Sequence, residues 1–215
     1  MQGYDVDGDG NTVGNLKDIY TDLSGSVPAQ QTGKASFNTN LNASAEYPGA
    51  SFSLSDPAGT SNFSTSINVY DSLGEAHLMN VYFTKHTAPN EWRVNATVPE
   101  DDVTAGGTNG LKLVVSNHKI KFDNDGTLDT GGTKQTITLP WDNGADTTQQ
   151  VDLNFNLSQY AGQSELVSKQ QDGFSSGALN GIEVDQEGMV IGSYSNGESK
   201  DLAKLGLAKF ANNNG

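Results

Sequence analysis

From Lys34 to Leu41 the chain alternates, with Ala35, Phe37, Thr39 and Leu41 set against Ser36, Asn38 and Asn40. Period two predicts a strand with one face buried. From Ser66 to Lys85, two runs rich in β-branched and aromatic residues flank Asp71-Ser72-Leu73-Gly74, the pattern of a β-hairpin. Asn90 to Val98 and Leu111 to Val115 alternate again, so the middle of the chain reads as a β meander. Phe122 to Leu128 and Val184 to Val190 each place acids and a Gly between apolar ends, which predicts two hairpin tips. Further strands are expected at 135–139, 150–157, 179–184, 190–194 and 202–210; the last also fits a helical period through Leu202, Leu205 and Lys209. Residues 1–33 carry only the thread Val13, Leu16, Ile19, Tyr20 and Leu23, whose spacings of three and four predict a short helix. The stretch holding Pro48 and Pro57 and the Gly-rich run Thr104 to Gly110 read as connections. The expected class is all-β, with few or no long helices.

Length changes this picture by dividing it. A chain of 215 residues exceeds what one small core serves and suggests two domains. Only 34% of it is apolar, yet 8 Phe, 7 Tyr and 2 Trp can anchor small cores, so the chain is not disordered. The formal charge of -14 repels phosphate backbones and anionic lipid. With a single Arg, Arg93, and no cluster of Lys, neither nucleic acid nor a membrane is expected as a partner. The absence of Cys excludes disulfides, thiolate zinc sites and a Cys nucleophile. No run approaches the ~20 apolar residues of a membrane helix. Met1-Gln2-Gly3-Tyr4-Asp5 lacks a basic, then apolar, secretory leader. Both ends are abrupt and polar, as expected of a fragment.

Candidate chemistry is sparse. Asp5, Asp7 and Asp9, followed by Gly10, open like an EF-hand calcium loop, but the twelfth position, where a bidentate Glu belongs, is Leu16. An acidic turn at a domain edge is the preferred reading, with calcium the alternative. Asp123, Asp125 and Asp129 could likewise form a weak calcium loop, but Asx-Gly turns of this composition are common in hairpins, and the turn is the preferred reading. His77, His86 and His118 fall in separate elements without HExxH spacing, and no Gly-x-Ser-x-Gly elbow occurs; each reads as a surface or strand residue. Trp92 and Trp141 are assigned to packing rather than to sugar stacking. No catalytic residue, cofactor or metal is expected.

Three segments together resemble the bacterial flagellar hook protein. They are Lys34 to Ala43; the hairpin Ile67-Asn68-Val69-Tyr70-Asp71-Ser72-Leu73-Gly74-Glu75-Ala76-His77 with Val81-Tyr82-Phe83; and the C-terminal series 171–174, 181–188, 192–197 and 205–212. The C-terminal series is shared with other flagellar axial proteins such as the distal rod; the Asp-Ser-x-Gly-x-x-His hairpin points to the hook. The resemblance implies an inner β domain from both chain ends, 1–46 plus 158–215, and an inserted outer β domain, 47–157. It also implies a non-catalytic, extracellular structural subunit, exported without a cleavable signal. Such a subunit assembles with copies of itself into a curved tube that transmits motor torque as a universal joint. Further implied partners are the distal rod, hook cap and hook-filament junction proteins. The terminal helices that polymerise hook proteins are missing here, so the fragment is expected to be monomeric in solution. The rivals are another axial protein, a calcium-stabilised adhesin module and a secreted hydrolase.

Overall fold

The computed structural model describes residues 2–20, 25–104, 106–129 and 132–206. In chain order the strands are β1 Gln2–Val6, β2 Thr12–Asp18, β3 Ser26–Val27, β4 Lys34–Asn42, β5 Phe63–Tyr70, β6 Ala76–Lys85 and β7 Glu91–Pro99. They continue as β8 Leu111–Lys121, β9 Lys134–Leu139, β10 Gln149–Tyr160, β11 Glu165–Gln171, β12 Gly177–Val184, β13 Met189–Tyr194 and β14 Ser199–Leu205. A 3-10 turn at Glu100–Asp102 is the one helical element among the described residues.

Two compact units result, one from both chain ends (1–28 and 176–215) and one inserted between them (29–175). These divisions lie outside the switch points expected near Glu46 and Ser158. The reason is pairing: β10 runs parallel to β4 with Phe155 opposite Phe37, and β11 runs antiparallel to β4 on its other side. Residues 34–42 and 165–171 therefore belong to the inserted sheet system.

The unit from the chain ends is one antiparallel sheet in the order β2-β1-β14-β13-β12-β3. The helix expected around Val13 to Ile19 is instead mostly β2, and Leu23 lies outside the described residues. Gly14 has φ +78°, and the ladder places Val13 opposite Asp5 but Lys17 opposite Gly3. This β-bulge inserts extra residues into one strand, so the helix-like spacing of Val13 and Leu16 is a product of the bulge. The region 202–210 resolves likewise as strand up to Leu205, and residues from 207 lie outside the described set.

The inserted unit stacks two four-stranded sheets, β11-β4-β10-β9 and β5-β6-β7-β8. The second is the predicted meander. Between the sheets lies one apolar core, with Phe37 stacked on Phe155 at 5.9 Å and Phe83 edge-on to Phe155 at 6.4 Å. Along β4 the inward positions are Ala35, Phe37, Thr39 and Leu41, as the alternation predicts. β7 departs from alternation because its outward side is covered too. Phe52 packs on Tyr82 at 5.1 Å, Thr84 donates to the Thr60 carbonyl, and Asn62 accepts from the Lys85 N–H. Glu91, Asn95 and Thr97 are consequently buried.

The two connections of the inserted unit run side by side. Gln30 and Phe174 exchange backbone hydrogen bonds at 2.9 Å each, and the Asp172 carboxylate accepts from Gly33 and Lys34 N–H.

Candidate functional site

The recognisable hairpin carries a densely bonded polar cluster. Asp71 follows β5 directly, and its Oδ1 accepts the N–H groups of Leu73 (2.8 Å) and Glu75 (3.0 Å), closing a loop in which Gly74 has φ +86°. Only Gly takes that conformation freely. The other carboxylate oxygen, Oδ2, accepts from Asn143 Nδ2 at 2.5 Å and faces His77 Nε2 at 3.1 Å. Antiparallel register pairs His77 with Val69, which turns the ring inward beneath the loop. Its Nδ1 faces Asp102 Oδ2 at 3.0 Å, and its plane stacks on Trp141 at 3.9 Å. Asn143 Nδ2 also donates to Glu75 at 2.7 Å, and Ser72 Oγ accepts the Asp146 N–H.

Beneath this layer Trp141 donates its indole N–H to Gln149, whose amide donates to the carbonyls of Thr32 and Tyr70. Segments far apart in sequence are thus tied to one end of the sandwich. Burial pushes the Asp71 carboxyl up, but the hydrogen bonds from Asn143, His77, Glu75 and Leu73 outweigh it and hold the group below its ordinary range.

Elsewhere in the unit, Gln159 Oε1 accepts from Lys85 Nζ (3.0 Å) and from the Trp92 indole (2.7 Å). Burial lowers the Lys85 pKa. Glu91 receives Arg93 at 2.6 Å and Lys119 at 2.8 Å. For Glu91 too, burial acts upward, and the bond from Lys119 with the charges of Arg93, Lys119 and His86 brings the carboxyl below its usual value.

Asp5, Asp7 and Asp9 lie on the β1–β2 hairpin but do not converge. Asp5 pairs with Lys17 at 2.6 Å, while Asp7 Oδ1 accepts the N–H groups of Asp9 and Asn11. Asn11 is the main reason that Asp7 sits below its ordinary value. Asp125 similarly caps its own turn through Thr127. Trp92 and Trp141 are fully buried, as their assignment to packing requires. His86 lies by Glu91, and His118 Nε2 donates to the Gly132 carbonyl. His77 is not the surface or plain strand residue expected of it, because carboxylates occupy both of its nitrogens. Among the described residues, the hydrogen-bond partners of that ring are the Asp71 and Asp102 carboxylates.

Residues 38–174 match the model of the flagellar basal body protein FlaE D2 domain, more than half of the chain. The chain belongs to the FlgE hook-protein family. It is 37% identical over 192 residues to the flagellar hook protein FlgE of Salmonella typhimurium, covering 88% of this chain and 45% of that one. With FlgE of Helicobacter pylori strain 26695 it shares 31% over 182 residues, 81% of this chain and 25% of the relative. The crystal structure of Helicobacter pylori flagellar hook protein FlgE2 superposes with a TM-score of 0.50 at 19% identity, over 71% of this chain and 34% of that one; this likeness concerns the fold alone. The chain therefore spans less than half the length of these FlgE relatives. The Asp71–His77 hairpin falls inside the part that matches the FlgE family model.

Proposed function

We propose that this chain is the β-rich portion of a flagellar hook subunit, whose copies assemble into a curved, flexible tube that passes motor torque to the filament. The family match over residues 38–174 carries this reading. In it the unit built from both chain ends is the inner domain and the inserted unit the outer one. In this reading the role is mechanical and needs no catalysis.

The surface chemistry supports contacts that rearrange. Apolar side chains such as Tyr160 and Val167 are exposed, but on strands β10 and β11, which are rich in Ser, Asn and Gln. Polar, hydrated contacts exchange partners at low free-energy cost, because water replaces each broken hydrogen bond. Strong net negative charge opposes indiscriminate clustering of copies. The distal rod, hook cap and hook-filament junction proteins are the further partners of such a tube.

Immunogold labelling of the source bacterium with antibody raised against this chain tests the assignment. Decoration of the short curved segment between cell envelope and filament is expected. Label confined to the envelope would refute the hook reading and support an adhesin, whereas label below the curved segment would support a rod protein.

A further inference from the structure

His77 presents a bonding problem that the protein atoms solve only in part. Neutral imidazole carries one ring hydrogen, yet Nδ1 lies 3.0 Å from Asp102 Oδ2 and Nε2 lies 3.1 Å from Asp71 Oδ2. One hydrogen satisfies one of these contacts and leaves a lone pair facing a carboxylate at the other. A second proton or a bound cation resolves the conflict.

The surroundings suit a cation. Among the described residues, Asp71, Glu75 and His77 are the one group of three acidic or histidine side chains whose ligand atoms all lie within 4.8 Å of one another. Two ligands of one tetrahedral first-row ion stand about 3.3 Å apart when each bond is about 2.0 Å, close to the Nε2 to Oδ2 separation. Metal-bound histidines almost always give their other ring N–H to a carboxylate, which fixes the ring and raises its basicity; Asp102 stands in that place. Asp71 and His77 are buried while Glu75 is exposed, so the group has a preorganised floor and an open side. Asn143 Nδ2 now sits between the two acids, at 2.5 Å from Asp71 and 2.7 Å from Glu75. That amide marks a point where positive charge is stabilised, and rotating it, with loss of the Ala145 N–H bond that its Oδ1 accepts at 3.1 Å, turns its oxygen towards the same point as a fourth donor.

We propose that Asp71, Glu75 and His77, completed by Asn143, form a binding site for a divalent first-row transition ion of the zinc type, with Asp102 orienting the histidine. One imidazole with carboxylate and amide oxygens is a mixed N/O set, which such ions prefer. Calcium, which takes six to eight oxygens, fits it poorly. The bound ion would staple the hairpin loop to residue 143 and so rigidify one end of the inserted unit.

Zinc titration of chelator-treated protein by calorimetry, with melting curves in parallel, tests the site. One zinc per chain and a raised melting temperature are expected, with much weaker binding of calcium. Glu75→Gln alters an exposed side chain and leaves the fold intact; it should weaken zinc binding about 10-fold or more. His77→Gln should abolish it, while His86→Gln and His118→Gln should leave it unchanged. Absence of saturable zinc binding would overturn the proposal. Binding that survives Glu75→Gln unchanged would overturn it as well, by placing the ion elsewhere.

Discussion

Replacing Asp71 by Asn isolates what the hairpin acid contributes, because size is kept while one acceptor oxygen becomes a donor and the charge disappears. The native carboxylate is fully buried and accepts from Leu73, Glu75 and Asn143 while facing His77. If the new NH2 group takes the place of Oδ1, Leu73 and Glu75 lose their acceptor; if it takes the place of Oδ2, Asn143 does. A hydrogen bond to a buried charged group is worth about 1.5–3 kcal/mol, and an orphaned buried donor costs about 1–3 kcal/mol. With partial relaxation we expect Asp71→Asn to destabilise the inserted unit by about 3 kcal/mol, a fall in melting temperature of about 6–12 °C for a unit of this size. Trp92 and Trp141 both lie in that unit, so urea unfolding followed by tryptophan fluorescence reads it directly. The pH dependence has a definite sign. Asp71 is lowered in the fold from 3.8, so its contribution is complete above that value and is lost as the pH falls through the folded value. The gap between wild type and Asp71→Asn should therefore stay constant at neutral pH and narrow under acid conditions. A variant within about 0.5 kcal/mol of wild type, or a gap indifferent to acid, would refute the assignment of this carboxylate as the tie of the hairpin end.

Other consequences are simpler to test. Phe155→Ala should cost the inserted unit about 3–5 kcal/mol in the same urea assay, because the ring is fully buried between Phe37 and Phe83. Gly126→Ala should destabilise by about 1–3 kcal/mol, since Gly126 has φ +83° and an added Cβ would stand 2.4 Å from the Gln159 carbonyl oxygen; calorimetric melting checks it. Gly181→Ala, where an added Cβ meets nothing within 4 Å, should be close to neutral in the same melts. Light scattering at micromolar concentration should give a mass near 22.7 kDa, because the contacts of the proposed tube would be multivalent and individually weak.

Strands that bury one face on a core were legible in the sequence. β4 and the β5–β6 hairpin appear where alternation and Asp71–Gly74 place them. Alternation was silent about β11, whose apolar Val167 is exposed and which is held by its ladder to β4. It misled at β2, where a bulge imitated helical spacing, and it oversimplified β7, whose outward residues are covered by a connection. Period two also says nothing about partners, so the parallel union of β4 with β10 across most of the inserted unit had no local sign. The same limit explains His77. Its motif was visible, but its burial depends on Asp102, Trp141 and Asn143, which reach it only through loops from other strands.

The side-by-side connections at Gln30 and Phe174 decide how the inserted unit responds to being pulled. Both enter at the same end of the β4–β11 pair, where Ala35 stands opposite Gln171. A force that parts them opens that ladder one rung at a time, the weak direction for a sheet, whereas β4 beside β10 lies parallel and must slide all its rungs at once. The neck formed by Gln30, Gly33, Lys34, Asp172 and Phe174 is thus the first barrier to mechanical unfolding of the unit.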